Sequence, residues 1–338
     1  MKEAIVHPGP LVKVIDSPVP SPGPGQVLIK VIISGSNPKD WKHPESRKKS
    51  LNSGDDIAGV IERVGDHVTE FKPGDRVASF HEMEAPYGSF AEYAVSWAAT
   101  TFHLPAHTSF EEAATIPLAA MTSAIGLYQS LGLPEPWHPA AEPLPLIVYG
   151  ASSAVGSFAI KLARLSNIHP IIAIAGRAQT YVQELLDPSQ GDAVLDHRQG
   201  DTALVEGIRE ALKKAGHGPA RHALDAVSGQ GSTTTLAKAL EPTGAITTVL
   251  PVMLPPPTRV SMTYVGTVHN GDNKDFAFVF YRYFGHGLGQ GVFHGHPFQV
   301  VPHGLGGVQQ ALQDLKDGKA SAVKYVFRIS DTPGAGAE

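Results

Sequence analysis

Leu144-Pro-Leu-Ile-Val-Tyr-Gly150-Ala-Ser-Ser-Ala-Val-Gly156-Ser-Phe-Ala-Ile-Lys-Leu-Ala-Arg-Leu-Ser-Asn167 is the stretch whose reading decides the fold. Its first residues predict a buried strand and its small residues a turn. Val155, Phe158, Ala159 and Leu162 then fall on one face of a helix, with Ser157, Lys161 and Arg164 on the other. A turn of this kind aims backbone N–H groups and a helix N-terminus at a pyrophosphate. The usual three glycines stand here as Gly150, Ser153 and Gly156. A strand, glycine turn and helix also occur as plain structure, so the flanking sequence has to decide.

Downstream, strand and helix alternate. Strands are expected at Pro170–Ala175, Ala193–Asp196, His222–Val227 and Gly244–Leu250, with a sixth at Tyr264–His269. Helices are expected over Asp201–Ala215, stopped by Gly216, and through Leu236 and Leu240. This alternation predicts a parallel, doubly wound α/β sheet with right-handed crossovers. Upstream the pattern changes to short β-branched strands at Val27–Ile33, Ile57–Val64, Arg76–Phe80 and Phe90–Val95, separated by glycine and proline, which suggests a compact barrel. Lys42–Asn52 is polar and basic and reads as a mobile surface loop. Ser109-Phe-Glu-Glu112 is a capping box opening a helix that Pro117 interrupts, and a second helical run covers Met121–Leu131. Pro134–Pro145 reads as a surface excursion. Phe276–Phe284 holds six aromatic residues, read first as core, and Leu305–Leu315 as an amphipathic helix. Ala322–Ile329 reads as a strand that rejoins the N-terminal barrel, and the last eight residues as a frayed tail.

The chain has 338 residues, 42% hydrophobic and 17% charged, enough for one or two globular domains. Its formal net charge of −5 offers no electrostatic footprint for nucleic acid or an anionic membrane. No apolar run approaches membrane-spanning length, and no signal-type apolar stretch follows Met1, so a cytoplasmic protein is expected. There is no cysteine, which excludes disulfides, a thiol nucleophile and thiolate metal sites.

The motifs in order resemble the medium-chain dehydrogenase/reductase superfamily over nearly the whole chain. They are Asn37-Pro-Lys-Asp-Trp-Lys42, Gly54-Asp-Asp-Ile-Ala-Gly-Val-Ile61, Val64-Gly65 with Phe71-Lys-Pro-Gly-Asp-Arg-Val77, and Tyr87-Gly-Ser-Phe-Ala-Glu-Tyr93. Glu112-Ala-Ala114 with Thr122, the Gly150–Gly156 turn and Ala322-Val-Lys-Tyr-Val326 complete them. The resemblance implies a Rossmann domain, residues 120–271, inserted into a GroES-like catalytic domain, residues 1–119 and 272–338, with the active site in the cleft between them. Within the superfamily the chain is most similar to zinc-free quinone and enoyl reductases, especially fungal stand-alone enoyl reductases serving polyketide synthases. Zinc-dependent members bind metal through cysteine. Asp40, Asp55 and Asp56 lie near those positions here, and His81-Glu82 and His294-Gly-His296 read as scattered histidines, so no metal is expected.

A zinc-free reductase needs an acceptor that is already electron-poor, a quinone or a conjugated enone. By resemblance Lys42 faces cofactor and substrate, Thr122 bonds the nicotinamide carboxamide, and Tyr87 is a weaker candidate proton donor beside solvent. The same resemblance brings Lys39, Asp40, Ser152, Ala154, Val155, Leu250, Val323 and Lys324 to the cofactor. His197 stands where relatives often carry tyrosine. The second strand of the α/β sheet ends Ile174-Ala-Gly-Arg177, without the acid that binds the ribose of NAD and with a guanidinium for a 2′-phosphate, so NADPH is expected. The leading expectation is an NADPH-dependent reductase of an enone or enoyl thioester, small or carried on a synthase. An NADPH:quinone oxidoreductase and an inactive NADPH-binding protein are the alternatives. The protein is expected to be a monomer or a homodimer.

Overall fold

The computed structural model describes residues 1–229 and 231–336. The chain forms two compact units, Met1–Met121 with Gly266–Glu338, and Thr122–Val265.

The first unit opens with an antiparallel hairpin of β1 (Lys2–His7) and β2 (Leu11–Asp16). Then come β3 (Gln26–Gly35), α1 (Lys39–Arg47), β4 (Asp56–Val64), β5 (Arg76–Phe80), β6 (Tyr93–Trp97), β7 (Thr101–His103), a short α2 (Phe110–Ala113) and α3 (Pro117–Ala124). β3 is the hub of this unit. It pairs antiparallel with β4 along its length and with β6 through its first half. Register shifts at Leu28/Ile29 and Val31/Ile33 mark irregularities in the β3–β4 ladder, of the kind that bends a sheet. Ser109 caps α2, its side chain accepting from Glu112 N at 3.0 Å.

The second unit is built from β8 (Leu146–Tyr149), α4 (Ala154–Leu165), β9 (Ile171–Ala175), α5 (Gln179–Leu185), β10 (Ala193–Asp196), α6 (Asp201–Lys214), β11 (His222–Asp225), α7 (Ser232–Ala239), β12 (Ala245–Thr248) and β13 (Arg259–Met262). The strand order is β10-β9-β8-β11-β12-β13, and every pairing is parallel. That is the doubly wound order in which the direction of winding reverses between β8 and β11, where dinucleotides bind. Ile147, Ile172, Ile174, Leu204, Ile208, Leu236 and Ile246 fill the core between sheet and helices. A π-helical turn, Ile125–Ser130, follows α3, and Gly126 packs closely there, since a Cβ would stand 3.0 Å from Leu224 Cδ1.

The chain returns to the first unit with α8 (Thr267–Asn270), α9 (Lys274–Gly289), β14 (Phe298–Val301), α10 (Val308–Lys316) and β15 (Lys324–Arg328). β15 pairs antiparallel with β3 and parallel with β14, so the last strand does rejoin the first sheet. In α9, Phe280, Tyr281 and Phe284 are buried, so the aromatic cluster is largely core.

Several sequence expectations are corrected. The basic segment read as a mobile loop is largely α1, and Leu51, beyond it, bridges to Val6. The sixth strand of the parallel sheet is Arg259–Met262, while Thr267–Asn270 within the expected strand is helical. Ser157, assigned to the outer face of α4, is buried, its hydroxyl donating to Ala154 O at 3.0 Å. The tail is tied down in its described part: Leu305 N donates to Thr332 Oγ1 at 2.9 Å and Gly336 N to Glu92 Oε1 at 2.6 Å. Ala337 and Glu338 lie outside the described residues. Among the described residues, no helix is long and apolar enough to cross a membrane.

Candidate active site and phosphate-binding turn

In the second unit, β8 ends at Tyr149 and the chain turns at Gly150, whose φ of +75° disfavours a side chain. A Cβ there would also stand 2.5 Å from Val227. Ser153 caps α4: its hydroxyl oxygen accepts from Gly156 N at 3.0 Å and keeps its own proton to donate. Gly156 packs so closely that a Cβ would sit 2.2 Å from Gly150 O. As in any helix, the N–H groups of Ala154 and Val155 have no intrahelical acceptor and point out of the N-terminus. Ser152 lies beside them in the same turn. These residues fit a pyrophosphate: a close-packed backbone cradle, a helix N-terminus and two serine hydroxyls.

Four other sequence candidates lie in the same unit. Thr122 is buried and precedes Ser123, whose hydroxyl donates to Val155 O at 2.7 Å and so ties the end of α3 to the first turn of α4. His197 lies against Gly176, where a Cβ would be 2.8 Å from its Nε2, and its ring is 6.0 Å from that of Tyr149. Arg177 follows Gly176 at the end of β9. The neighbouring Arg198 is engaged by Asp196 through contacts of 2.6–3.1 Å. Leu250 lies just past β12, its carbonyl accepting from Thr248 Oγ1 at 2.8 Å.

The sequence did not point to Asp225. This buried carboxylate ends β11 and accepts from Val227 N, Ser228 N, Ser232 Oγ and Thr233 Oγ1 at 2.6–3.1 Å. It fixes the loop beside Gly150, because Ala226 N in turn donates to Tyr149 O at 3.0 Å. A cavity of about 800 Å³ lies elsewhere, lined by residues such as Pro170, Asp192 and Ala193 at the amino ends of β9 and β10. The phosphate turn leaves the carboxyl end of β8.

In the first unit the remaining candidates gather on two buried charge clusters. In one, Lys39 Nζ stands 3.0 Å from Asp40 Oδ1, pairs closely with Asp55 Oδ2 and donates to Ser53 O at 2.5 Å. His81 Nδ1 lies 2.8 Å from Asp55 Oδ1, so this histidine belongs to a convergent set that the sequence did not suggest. Burial pulls Lys39 down, but the two carboxylates outweigh it and hold the ammonium well above its usual range. Burial and the charge of Asp55 push Asp40 up to about 7, against Lys39 and Asn37 N. Burial also opposes ionisation of Asp55, but Lys39 and His81 outweigh it and hold the carboxyl low.

In the other cluster, buried Lys324 pairs with Asp56 and donates to Asn37 Oδ1 at 3.1 Å and Thr115 O at 3.5 Å. Asp56 also accepts from Asn37 Nδ2 and Leu118 N, each at 2.7 Å. Val323 packs against the core of this unit.

Lys42 is different. It is half-buried on α1, its ammonium 5.6 Å from the centre of the Trp41 ring, and burial lowers its pKa. Tyr87 is 43% exposed with φ +71° and borders a cavity of about 140 Å³ that also touches His81. Asn37, Asp55, Asp56 and His81 were not singled out as site residues. The adjacent acids Asp55-Asp56 in an otherwise apolar and glycine context were the available signal, since buried charges need partners. Among the described residues, no group of three or more histidine, cysteine, aspartate or glutamate side chains is arranged to hold a metal ion.

Residues 23–106 match the alcohol dehydrogenase GroES-like domain family. A trans-enoyl reductase of Gibberella fujikuroi is 49% identical over 311 residues, 89% of this chain and 91% of its own. A trans-enoyl reductase of Aspergillus sclerotiorum is 32% identical over 357 residues, 95% and 98% of the two chains. Among solved structures, an alcohol dehydrogenase superfamily protein of Novosphingobium aromaticivorans superposes with a TM-score of 0.81 at 19% identity, covering 97% of this chain and 99% of its own. With the GroES-like unit, the doubly wound unit and these relatives together, the chain belongs to the fungal trans-enoyl reductases of the medium-chain dehydrogenase/reductase superfamily.

Proposed function

We propose that this protein reduces the carbon–carbon double bond of an enoyl thioester or enone with NADPH and without a metal ion. The observation that carries the reading is the built phosphate turn, Gly150 to Gly156, in a chain 49% identical to a trans-enoyl reductase. NADPH, when bound, supplies a hydride that the β-carbon accepts, and the α-carbon takes a proton to give the saturated product.

The chain's own residues do the rest. Backbone N–H groups of the turn and the hydroxyls of Ser152 and Ser153 hold the pyrophosphate. Arg177, with His197 beside Gly176, binds the 2′-phosphate, and no carboxylate at that strand end favours a bare ribose. Thr122 orients the nicotinamide carboxamide. Lys42 stabilises the enolate oxygen that develops as hydride arrives, an effect worth about 3 kcal/mol for a well-placed donor. Its partial burial strengthens that interaction by excluding water. Tyr87 or solvent returns the proton. The acyl chain is small or borne on a carrier domain of a polyketide synthase.

The test follows NADPH absorbance with enoyl thioesters, simple enones and quinones. Preference for thioesters supports the biosynthetic reading, and oxidation with quinones alone replaces it with a quinone reductase. No oxidation with any acceptor leaves a binding protein. Equal catalytic efficiency with NADH removes the role of Arg177, and wild-type turnover in Lys42→Ala removes Lys42.

A further inference from the structure

Lys39 is a single buried cation enclosed by oxygens. Three oxygens converge on its ammonium: Asp40 Oδ1 at 3.0 Å, Asp55 Oδ2, and Ser53 O at 2.5 Å. Both aspartates are fully buried, and Lys39 is the partner of Asp40 Oδ1 and of Asp55 Oδ2. Behind them Asp55 Oδ1 is held by His81, and His81 Nε2 by Pro86 O at 3.0 Å. An all-oxygen set without thiolate does not fit the zinc chemistry of the superfamily's dehydrogenases. It suits a hard cation, and here the cation is covalently attached.

The same contacts fix the start of α1. Its N-cap residue, Pro38, offers no side-chain cap. Instead Asn37 N donates to Asp40 Oδ2 at 2.7 Å, Ser53 Oγ donates to Asp40 O at 2.8 Å, and Lys39 reaches back to Ser53 O. Lys42 lies three residues after Lys39, on the adjacent part of the same helical surface. We propose that Lys39 is a resident cation bridging two buried carboxylates, that its removal would open those oxygens to a divalent metal ion, and that through this bolt it is a positioning residue for Lys42. The role given to Lys42 rests on the function proposed above; the cation site does not.

The experiment uses the full chain with Lys39→Ala. Binding of Mn²⁺ is read by electron paramagnetic resonance, and turnover is read with an enoyl thioester and NADPH. The variant is expected to bind one Mn²⁺, where wild type and Lys39→Ala/Asp55→Asn bind none. Its kcat is expected to fall about 10²-fold, the cost of a misplaced catalytic group, with KM for NADPH unchanged. Added ethylammonium or Mn²⁺ should recover at least tenfold of the loss. Absence of Mn²⁺ binding by folded Lys39→Ala overturns the cation site. An unchanged kcat, or a loss that neither cation recovers, overturns the positioning role. If Lys39→Ala does not fold, Lys39→Met/Asp55→Asn, which removes one charge of each sign, decides: folded protein with depressed kcat supports the proposal and wild-type kcat overturns it. Should wild type oxidise no NADPH with any acceptor, the function fails while Mn²⁺ binding still tests the site.

Discussion

Replacing Lys324 with methionine is expected to destabilise the first unit by about 3 kcal/mol, toward the lower end of what breaking a buried ion pair costs. Lys324 and Asp56 are almost wholly out of solvent, so neither can be rehydrated in the folded state. Methionine keeps most of the volume of the lysine stem and removes only the ammonium. Asp56 then keeps two donors, Asn37 Nδ2 and Leu118 N, both at 2.7 Å, which soften the loss without supplying a positive charge. Asn37 Oδ1 and Thr115 O lose a donor as well. The double variant Lys324→Met/Asp56→Asn leaves no unpaired charge, and its asparagine can still accept from Leu118 N. It should recover about 2 kcal/mol, a coupling within the range measured for groups in one network. Urea unfolding followed by tryptophan fluorescence reads this, since Trp41 and Trp97 lie in the first unit. A cost below about 1 kcal/mol for Lys324→Met, or a double variant as unstable as the single one, would refute the reasoning. A raised KM for NADPH without loss of stability would instead restore to Lys324 the direct cofactor contact that the family resemblance implies.

Two further outcomes are expected. Gly156→Ala places a Cβ 2.2 Å from Gly150 O and 2.8 Å from the Cα of Ala151, backbone that cannot swing aside; calorimetric titration should show weaker NADPH binding by at least tenfold. His269, which burial pushes down to about 4, stays neutral when folded, whereas the unfolded chain binds a proton below about 6.5. Its folded pKa is depressed, so stability is lost as pH falls from about 6.5 to 4, by about 3 kcal/mol in all. Asp40 acts in the opposite sense: its folded pKa of about 7 lies above the unfolded value, so the folded state binds the extra proton and stability falls as pH rises from about 4 to 7. The difference between wild type and His269→Gln cancels the Asp40 contribution, and thermal unfolding across this range should show the gap narrowing toward acid. A gap independent of pH would contradict it.

The doubly wound unit was legible because its strands and helices bury one face or both, and that burial leaves a period in the sequence. The misread sixth strand lacks it. Three of the four residues in Arg259-Val-Ser-Met are exposed on the sheet edge, so the strand has no hydrophobic signature, while the apolar Val265 and Val268 nearby drew the assignment. α1 was hidden for a related reason. Lys39–Arg47 is polar with Pro44 in its interior, and it stands because other elements hold it. Lys39 anchors its first turn, Lys316 reaches Glu45, and the ammonium groups of Lys42 and Lys316 both stand over the Trp41 ring, at 5.6 and 5.3 Å. Such tertiary support overrides propensity and leaves no periodic trace. The phosphate turn could be seen because its residues are consecutive. Lys39, Asp55 and His81 meet only after β4 and β5 have paired, and nothing in their spacing along the chain announces that meeting.

The geometry also discriminates among the lysines brought together by the family resemblance. A developing enolate needs a positive charge that is not already answered. Lys39 is enclosed by Asp40 and Asp55, and Lys324 by Asp56, so the field each presents to a ligand is largely cancelled by its own buried carboxylate. Moving either ammonium toward substrate would strand a buried negative charge, a cost larger than the roughly 3 kcal/mol an oxyanion donor contributes. Among the described residues no carboxylate pairs with Lys42: its ammonium stands over the ring of Trp41, and burial shifts its titration. Of the three, Lys42 is the one that fits the enolate-stabilising role proposed above. The two bolted lysines are suited to holding still the backbone that presents it.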